Sequence, residues 1–172
     1  MKKLVIVTHQ DLSASVVNKN WINELEKHSD TFDVHSLYTK YPDLNYDVKS
    51  EQALIESYDE IIFQFPLHWF STPFALKKYI DQVFTYGWSF GPEGDKIQGK
   101  KIGFAISTGG GEENYTAPKG ISIKELLNDF TLTFKFCGAE ITNFHVFHGA
   151  MFEPSPSGLS SDAEKYIAKF KG

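Results

Sequence analysis

Cysteine, basic charge and long apolar runs are all scarce in this sequence of 172 residues. The single cysteine, Cys137, cannot form a disulfide within the chain, so the core must form without such cross-links. Lysine and arginine total 17 against 22 acidic residues, and a formal net charge of −5 disfavours binding to a nucleic-acid backbone. No apolar run approaches the roughly 18 residues of a membrane span. We therefore expect no nucleic-acid partner and no membrane-spanning segment.

We expect no export signal at the amino-terminal segment. Its apolar run covers only residues 4–7, and the polar residues 8–11 end that run. No small-residue cleavage site follows, which disfavours a signal peptide. Together with the scarcity of cysteine, this predicts a cytoplasmic protein.

Aromatic residues are abundant, since 15 Phe, 8 Tyr and 3 Trp make up 15% of the chain. The apolar fraction of 41% and the charged fraction of 23% are those of an ordinary globular protein. The length fits one domain, which we predict to span residues 1–172. So many aromatic side chains fit a thick core, an aromatic pocket or an interface, and composition does not choose between them.

Short apolar runs alternate with segments of helical period, which predicts an α/β fold. Such alternation is typical of a three-layer sandwich, in which helices cover both faces of a five-stranded parallel sheet. The main hypothesis for its strand order is the flavodoxin-like order 2-1-3-4-5. The expected strands are residues 4–7, 32–37, 61–65, 102–107 and 141–147, with helices over 15–28, from Ser50, from 72–73, over 121–136 and from 160–161 to 170, and a polar loop at 39–49.

In a sheet of this order, the loops after strands 1, 3 and 4 meet at one edge, where ligands bind. The first loop, residues 8–18, has no glycine and no Gly-Lys-Ser, so it is neither a dinucleotide fingerprint nor a P-loop. Its hydroxyl and amide side chains open a helix, whose free N–H groups favour an anion. The alternative is that Ser13 or Ser15 only caps this helix.

The other two loops are aromatic and glycine-rich. Residues 66–73 combine two prolines with Trp69 and Phe70, which predicts a wall for a planar ligand or, alternatively, a hydrophobic staple onto the next helix. Residues 109–111 are three glycines, which either admit a ligand close to the backbone or form a flexible turn. Thr108 and Tyr115 add hydroxyl groups beside them.

Signatures of other chemistries are weak. No G-x-S-x-G nucleophile elbow is present. His9 and His68 are candidate acid–base groups, although a single histidine is more often only hydrogen-bonded or solvated. Acidic pairs lack the histidine cluster of a metal site, so we expect no metal. These pairs are Asp43 with Asp47 and Glu112 with Glu113.

Residues 63–73, Phe-Gln-Phe-Pro-Leu-His-Trp-Phe-Ser-Thr-Pro, resemble the signature of the NAD(P)H:quinone oxidoreductases of the flavodoxin-like fold. Residues 107–110, Ser-Thr-Gly-Gly, resemble the second flavin loop of that family. Residues 41–45 and 87–91 look like the modulator flavoproteins of glutathione-gated potassium efflux systems and their general-stress relatives. The likeness extends from about residue 3 to residue 150.

The resemblance implies a homodimer that binds FMN or FAD and relays hydride, in a ping-pong cycle, from NADH or NADPH to a quinone-like acceptor. FMN is preferred to FAD because the chain lacks the long C-terminal extension of the larger enzymes. The implied contacts fall on the three loops described above. They are Ser15, Val16, Val17 and Asn18 at the flavin phosphate, with His9 beside the phosphate or the ribityl chain; Pro66, Leu67, His68, Trp69 and Phe70 along the isoalloxazine; and Ser107, Thr108, Gly109 and Gly110 in the second flavin loop, which contacts the pyrimidine side.

Tyr115 matches the active-site tyrosine of the family in its spacing from Thr108, and the resemblance makes it the catalytic residue. The histidine that partners this tyrosine in the larger vertebrate enzymes falls at Ile121 here, so the pair does not carry over. Trp88 and Phe90 are implied to cover the site of the partner subunit.

Two other functions stay open. One is a regulatory subunit that docks on a membrane potassium-efflux protein, at the inner face of the cell membrane. The other is a one-electron flavodoxin carrier, which the modest charge of −5 and the Trp-Phe loop disfavour.

Overall fold

The computed structural model describes residues 2–172, which form five strands and seven α-helices. The strands are β1 (Lys3–Val7), β2 (Phe32–Ser36), β3 (Glu60–Pro66), β4 (Lys101–Ser107) and β5 (Glu140–Phe147). The helices are α1 (Val17–Lys27), α2 (Leu37–Lys40), α3 (Val48–Glu56), α4 (Phe74–Val83), α5 (Ile123–Leu126), α6 (Asn128–Phe136) and α7 (Pro156–Lys171). A 3₁₀ turn covers Glu112–Tyr115.

The sheet is parallel throughout, and its order is β2-β1-β3-β4-β5. The predicted α/β sandwich and its strand order are therefore confirmed. The three central strands, β1, β3 and β4, are mainly apolar because helices bury both of their faces. Their carboxyl ends lie side by side, so the loops that follow them share one edge of the sheet.

Two apolar cores lie on opposite faces of the sheet. On one face, α1 and α7 pack against β1 through side chains such as Trp21, Leu25 and Tyr166. On the other face, α3, α4 and α6 cover a larger core that contains Phe63 and Phe134, whose rings stack at 5.0 Å. Much of the aromatic content of the chain is therefore core.

The segment 39–49 is not the polar loop expected from its composition. Tyr41, Leu44 and Tyr46 are buried, because the tyrosine rings meet edge to face at 5.4 Å and their hydroxyl groups find partners inside the protein. The next helix also begins earlier than expected. Its cap is Asp47, whose carboxylate accepts from Ser50 N at 3.1 Å, and the predicted cap at Ser50 is wrong.

Several helix boundaries also differ from the predictions. The expected helix over 121–136 divides at Leu127, because Ser122 forms a capping box that starts the separate short helix α5. The last helix begins at Pro156 rather than at 160–161, because the Ser155 side chain caps it. Phe74, the first residue of α4, is 66% exposed.

Across the described part of the chain, every helix is too short or too polar to cross a membrane.

Candidate functional site

Backbone hydrogen bonds join the ends of neighbouring strands at the carboxyl edge of the sheet. Thr8 N donates to Gln64 O at 2.8 Å, and Leu67 N donates to Ser107 O at 2.8 Å. Thr108 N reaches β5 in the same way, at 2.8 Å from Phe147 O. The loops after β1, β3 and β4 therefore meet at one edge, as the strand order predicts.

A cleft of about 630 Å³ opens between the second and third of these loops. Its walls are mainly apolar and aromatic, with a few polar groups, as in small-molecule sites. The lining residues are Phe70, Gly110, Asn114, Tyr115, Lys119, Gly120, Ile121 and Leu126.

The loop after β3 presents its aromatic side chains to solvent. His68 and Ser71 exchange backbone hydrogen bonds at 2.9 and 3.0 Å, which closes a tight turn. Trp69 and Phe70 form its tip with left-handed φ angles of 45° and 63°, at a cost of about 1–3 kcal/mol each. Trp69 is 93% exposed, so its side chain does not act as a staple onto the next helix. Strained, exposed aromatic residues of this kind favour the ligand-wall interpretation.

The glycine loop after β4 is pinned rather than flexible. Gly110 O accepts hydrogen bonds from Thr108 Oγ1 at 2.9 Å and from Gly149 N at 2.8 Å. Ala150 N donates to Thr108 O at 2.9 Å. Because both partners from beyond β5 are backbone groups, the loop keeps one position whatever its side chains are.

His148 is a site residue that the sequence reasoning missed. Its Nδ1 lies 3.0 Å from Thr108 Oγ1, and its ring stacks on Tyr115 with centroids 5.2 Å apart. Thr108 gives its one hydroxyl hydrogen to a carbonyl, which cannot donate, so Nδ1 of His148 carries the hydrogen and Nε2 is the acceptor. The signal was the strand order, because β5 adjoins β4 and the residue just after β5 must reach the same edge.

Burial lowers the pKa of His148, although Glu112 and Glu113 act in the opposite direction. The imidazole is therefore neutral at pH 7. Ile121, at the position of the family's histidine, is 57% exposed and lines the cleft. The imidazole beside Tyr115 is therefore that of His148, which follows β5, and not a side chain at position 121.

The first loop contains side chains that pack inside the protein and backbone N–H groups that remain free. Val17 and Asn18 are buried, and Asn18 Nδ2 donates to Ser107 Oγ at 2.9 Å, so this amide is engaged within the protein. Ser15 Oγ accepts from Asn18 N at 3.1 Å, which agrees with a helix cap. The N–H groups of Val16 and Val17 precede the first helical hydrogen bond, and such groups at a helix start favour an anion.

A buried hydroxyl at the start of this loop supports a ligand. Thr8 Oγ1 has no hydrogen-bond partner within residues 2–172, although Thr8 is fully buried. An unpaired buried hydroxyl costs about 1–3 kcal/mol, which a polar ligand group would offset. The residues present therefore fit a phosphorylated ligand that spans the first and third loops.

The first loop carries two titratable side chains, His9 and Asp11. Burial lowers the pKa of His9, and the neighbouring His68 lowers it further, while Asp11 partly opposes both. The Asp11 carboxylate accepts hydrogen bonds from Ser13 Oγ and from Ser13 N and Ala14 N, and these bonds lower its pKa. Asp11 is thus turned into its own loop.

Known proteins match this chain over most of its length. General stress protein 14 of Bacillus subtilis is 47% identical over 154 residues, 88% of this chain and 87% of that protein. A Bacillus subtilis protein named as an uncharacterized NAD(P)H oxidoreductase, YrkL, is 39% identical over 173 residues, 99% of this chain and 98% of its own. The potassium-efflux ancillary protein KefF of an Enterobacter species is 36% identical over 137 residues, 80% of this chain and 77% of its own.

Solved structures of similar proteins also match this chain over most of its length. The general stress protein 14 of Treponema denticola, in complex with FMN, superposes with a TM-score of 0.94 at 38% identity, over 99% of this chain and 98% of that one. An NADPH-quinone reductase from P. pentosaceus superposes with a TM-score of 0.87 at 26% identity, over 98% of both chains. The resemblance in the sequence motifs is thereby confirmed. Since the family model described as "Flavodoxin-like fold" matches residues 1–170, the chain belongs to that family.

Proposed function

We propose that this chain is an FMN-dependent NAD(P)H oxidoreductase that reduces quinones or similar acceptors by two electrons. The observation that carries this conclusion is the meeting of three loops at one edge of the sheet, with a helix start after the first loop and an aromatic cleft between the second and third. Relatives named as NAD(P)H oxidoreductases and an FMN-bound neighbour of 38% identity support it. Residues 1–172 act as one flavin-binding domain.

Bound FMN supplies the hydride-accepting ring, and the protein supplies position and surroundings. Ser15 and the N–H groups of Val16 and Val17 would hold the phosphate. Residues 66–70 would line the ring, and residues 107–110 would contact its pyrimidine edge. The aromatic tip formed by Trp69 and Phe70 would cover a flat nicotinamide or quinone, each in turn, and hold it against the same surface.

Tyr115 provides a hydroxyl at the mouth of this cleft. The His148 ring stacks on the Tyr115 ring from one side, and the centroid of the Phe70 ring lies 6.5 Å from that of Tyr115. The hydroxyl donates a hydrogen bond to a carbonyl oxygen of the acceptor, which gains negative charge as hydride arrives. Such a bond is stronger in the transition state than in the ground state and therefore raises kcat.

Tyr115→Phe is expected to lower kcat about 10- to 100-fold and to change the FMN dissociation constant less than twofold, because only a bond to charge developing in the acceptor is lost. Steady-state kinetics and a fluorescence titration with FMN measure the two quantities. Tyr86→Phe is the matched control, since Tyr86 is 69% exposed and does not line the cleft. Equal losses of turnover and flavin affinity would contradict the assignment.

Ser15→Ala is expected to weaken FMN binding about 10-fold, because one hydrogen bond to a charged phosphate is lost together with the helix cap. Ser13→Ala is the control, as the Ser13 hydroxyl bonds to Asp11 within the same loop. Fluorescence titration gives both dissociation constants, and similar values for the two variants would rule out the phosphate role of Ser15.

The reaction itself is tested with the purified protein. A yellow protein that NADPH bleaches without oxygen, and that a quinone then recolours, is the expected result. A protein that exchanges single electrons but does not oxidise NADH or NADPH would instead be a carrier.

A homodimer is the assembly that the exposed apolar surface favours. A second cleft of about 580 Å³ lies between α4 and α6, with Leu132 and Phe136 exposed at its rim. Phe90 lines this cleft, whereas Trp88 is buried and donates its Nε1 hydrogen to Glu56 at 2.6 Å. Trp88 is thus engaged within its own chain, whereas the Phe90 ring is at the surface that a partner would cover. Sedimentation equilibrium measures the assembly, and a monomer at micromolar concentration would contradict it.

Docking on a membrane potassium-efflux protein is a second candidate function. The relative KefF, at 36% identity, favours it. It would place the chain at the inner face of the cell membrane, and it is compatible with the oxidoreductase activity. Loss of potassium efflux on deletion of the gene, restored by a Tyr115→Phe copy, would assign this role to docking rather than to catalysis.

A further inference from the structure

Four buried polar side chains form a hydrogen-bonded chain beneath the site, which we call the buried amide chain. Tyr166 Oη, on α7, donates to Gln64 Oε1, on β3, at 3.2 Å. Gln64 Nε2 donates to Asn18 O at 3.2 Å and to Asn18 Oδ1 at 3.4 Å. Asn18 Nδ2 then donates to Ser107 Oγ at 2.9 Å. All four residues are at most 3% exposed.

Gln64 is out of place in the apolar pattern of its strand. The residues beside it on β3, Phe63 and Phe65, are fully buried like Gln64 itself. A buried amide costs about 1–3 kcal/mol unless its groups are paired, so an apolar side chain would fill this position more cheaply. Packing of the core alone therefore does not explain why a glutamine occupies this position.

The positions of the partners of Gln64 indicate the reason. Asn18 is the second residue of α1, at the end of the first loop, and Ser107 is the last residue of β4, directly before the glycine loop. Each side-chain amide in the chain uses both its donor and its acceptor, so neither can rotate without breaking a bond. Two loops far apart in sequence are thus tied together across β3.

We propose that Gln64 and Tyr166 are positioning residues for the cofactor. They hold Asn18 and Ser107, and through them the two loops, at the spacing that a ligand spanning both loops requires. Tyr166 acts from the last helix, although it belongs to none of the three loops. This inference rests on the proposed function, because FMN is the ligand that spans the loops.

The test compares two tyrosine variants of the full chain. Tyr166→Phe is expected to raise the FMN dissociation constant about fivefold to tenfold, the loss of roughly one net hydrogen bond. Tyr58→Phe is the control, because Tyr58 Oη donates to Asp33 at 2.9 Å at the opposite edge of the sheet. It should change FMN affinity less than twofold, even where urea unfolding shows a comparable loss of stability.

Hydrogen exchange gives a readout that does not depend on FMN. Exchange over residues 8–18 and 107–115 should accelerate in Tyr166→Phe and stay unchanged in Tyr58→Phe. Gln64→Leu, where it folds, should weaken FMN binding more than Tyr166→Phe does, since it removes every bond between β3 and Asn18.

The outcomes separate this inference from the function on which it rests. Equal FMN affinities for Tyr166→Phe and Tyr58→Phe, with unchanged exchange in both loops, would overturn the positioning role alone. Failure of the unmodified protein to bind FMN would overturn the proposed function and the positioning role together.

Discussion

Glu51→Ala is expected to lower the free energy of unfolding by about 3–5 kcal/mol, because it removes a buried carboxylate that several donors share. Glu51 lies in the first turn of α3 and is 1% exposed. An ionised carboxylate only accepts hydrogen bonds, so its partners must donate. These partners are Tyr41 Oη at 2.7 Å, Tyr79 Oη at 2.8 Å and His35 Nε2 at 3.0 Å.

The effect of this substitution should depend on pH. Burial raises the pKa of Glu51, but the hydrogen bonds from His35, Tyr41 and Tyr79 outweigh burial and hold the pKa below its ordinary value. A carboxylate whose folded pKa lies below its unfolded pKa stabilises the protein above the unfolded value, and that stabilisation is lost as the pH falls through the folded value. The difference between the two proteins should thus be full at pH 7 and shrink below about pH 4.

Urea unfolding at a fixed FMN concentration measures this difference. Glu56→Ala is the control on the same helix, since the exposed Glu56 accepts one hydrogen bond, from Trp88 Nε1 at 2.6 Å. Its expected cost is about 1 kcal/mol. A loss for Glu51→Ala no larger than this, or one that persists unchanged at pH 3, would show that the carboxylate does not hold its neighbours together.

The same carboxylate shows why part of the fold was not predictable from sequence. The central strands are predictable because both of their faces are buried, so each is mainly apolar, with Gln64 as the polar exception in β3. The segment 39–49 has no such period, and the hydroxyl of Tyr41 can be buried because Glu51, on α3, accepts its hydrogen bond. Partners that tertiary packing supplies leave no local pattern.

The same distinction between local pattern and tertiary partners applies to the candidate site. The strand order brings the three loops to one edge, and their residue types favoured an anion and a planar ligand without excluding a helix cap, a staple or a flexible turn. The roles of His148, Gln64 and Tyr166 depend on hydrogen bonds and stacking between elements distant in sequence. Asn18 was expected at the phosphate, yet its side chain faces Ser107, because nothing local distinguishes an amide that binds a ligand from one that supports the loop.

Gly110→Val is expected to raise the FMN dissociation constant about 100-fold, enough to lose the cofactor during purification, because overpacking costs up to about 3 kcal/mol. A Cβ at Gly110 would lie 2.8 Å from Asn114 Nδ2 and 4.0 Å from Tyr115 Oη, at the wall of the cleft. The backbone cannot move aside cheaply, because Gly110 O is bonded to both Thr108 Oγ1 and Gly149 N. The added methyl groups must therefore enter the space that the ligand needs.

A matched pair of substitutions separates this steric effect from a general effect of valine in the loop. Gly111→Val is the control, because a Cβ there would meet only the carboxylate of Glu113, which is exposed and free to turn away. The FMN dissociation constant of Gly111→Val should rise less than about threefold. That of Gly110→Ala should lie between the values of the two valine variants, because the exposed Asn114 amide can move aside for one methyl group. FMN content after gel filtration and fluorescence titration measure all three, while circular dichroism confirms folding. A folded Gly110→Val protein with full FMN content would place the cofactor away from this loop.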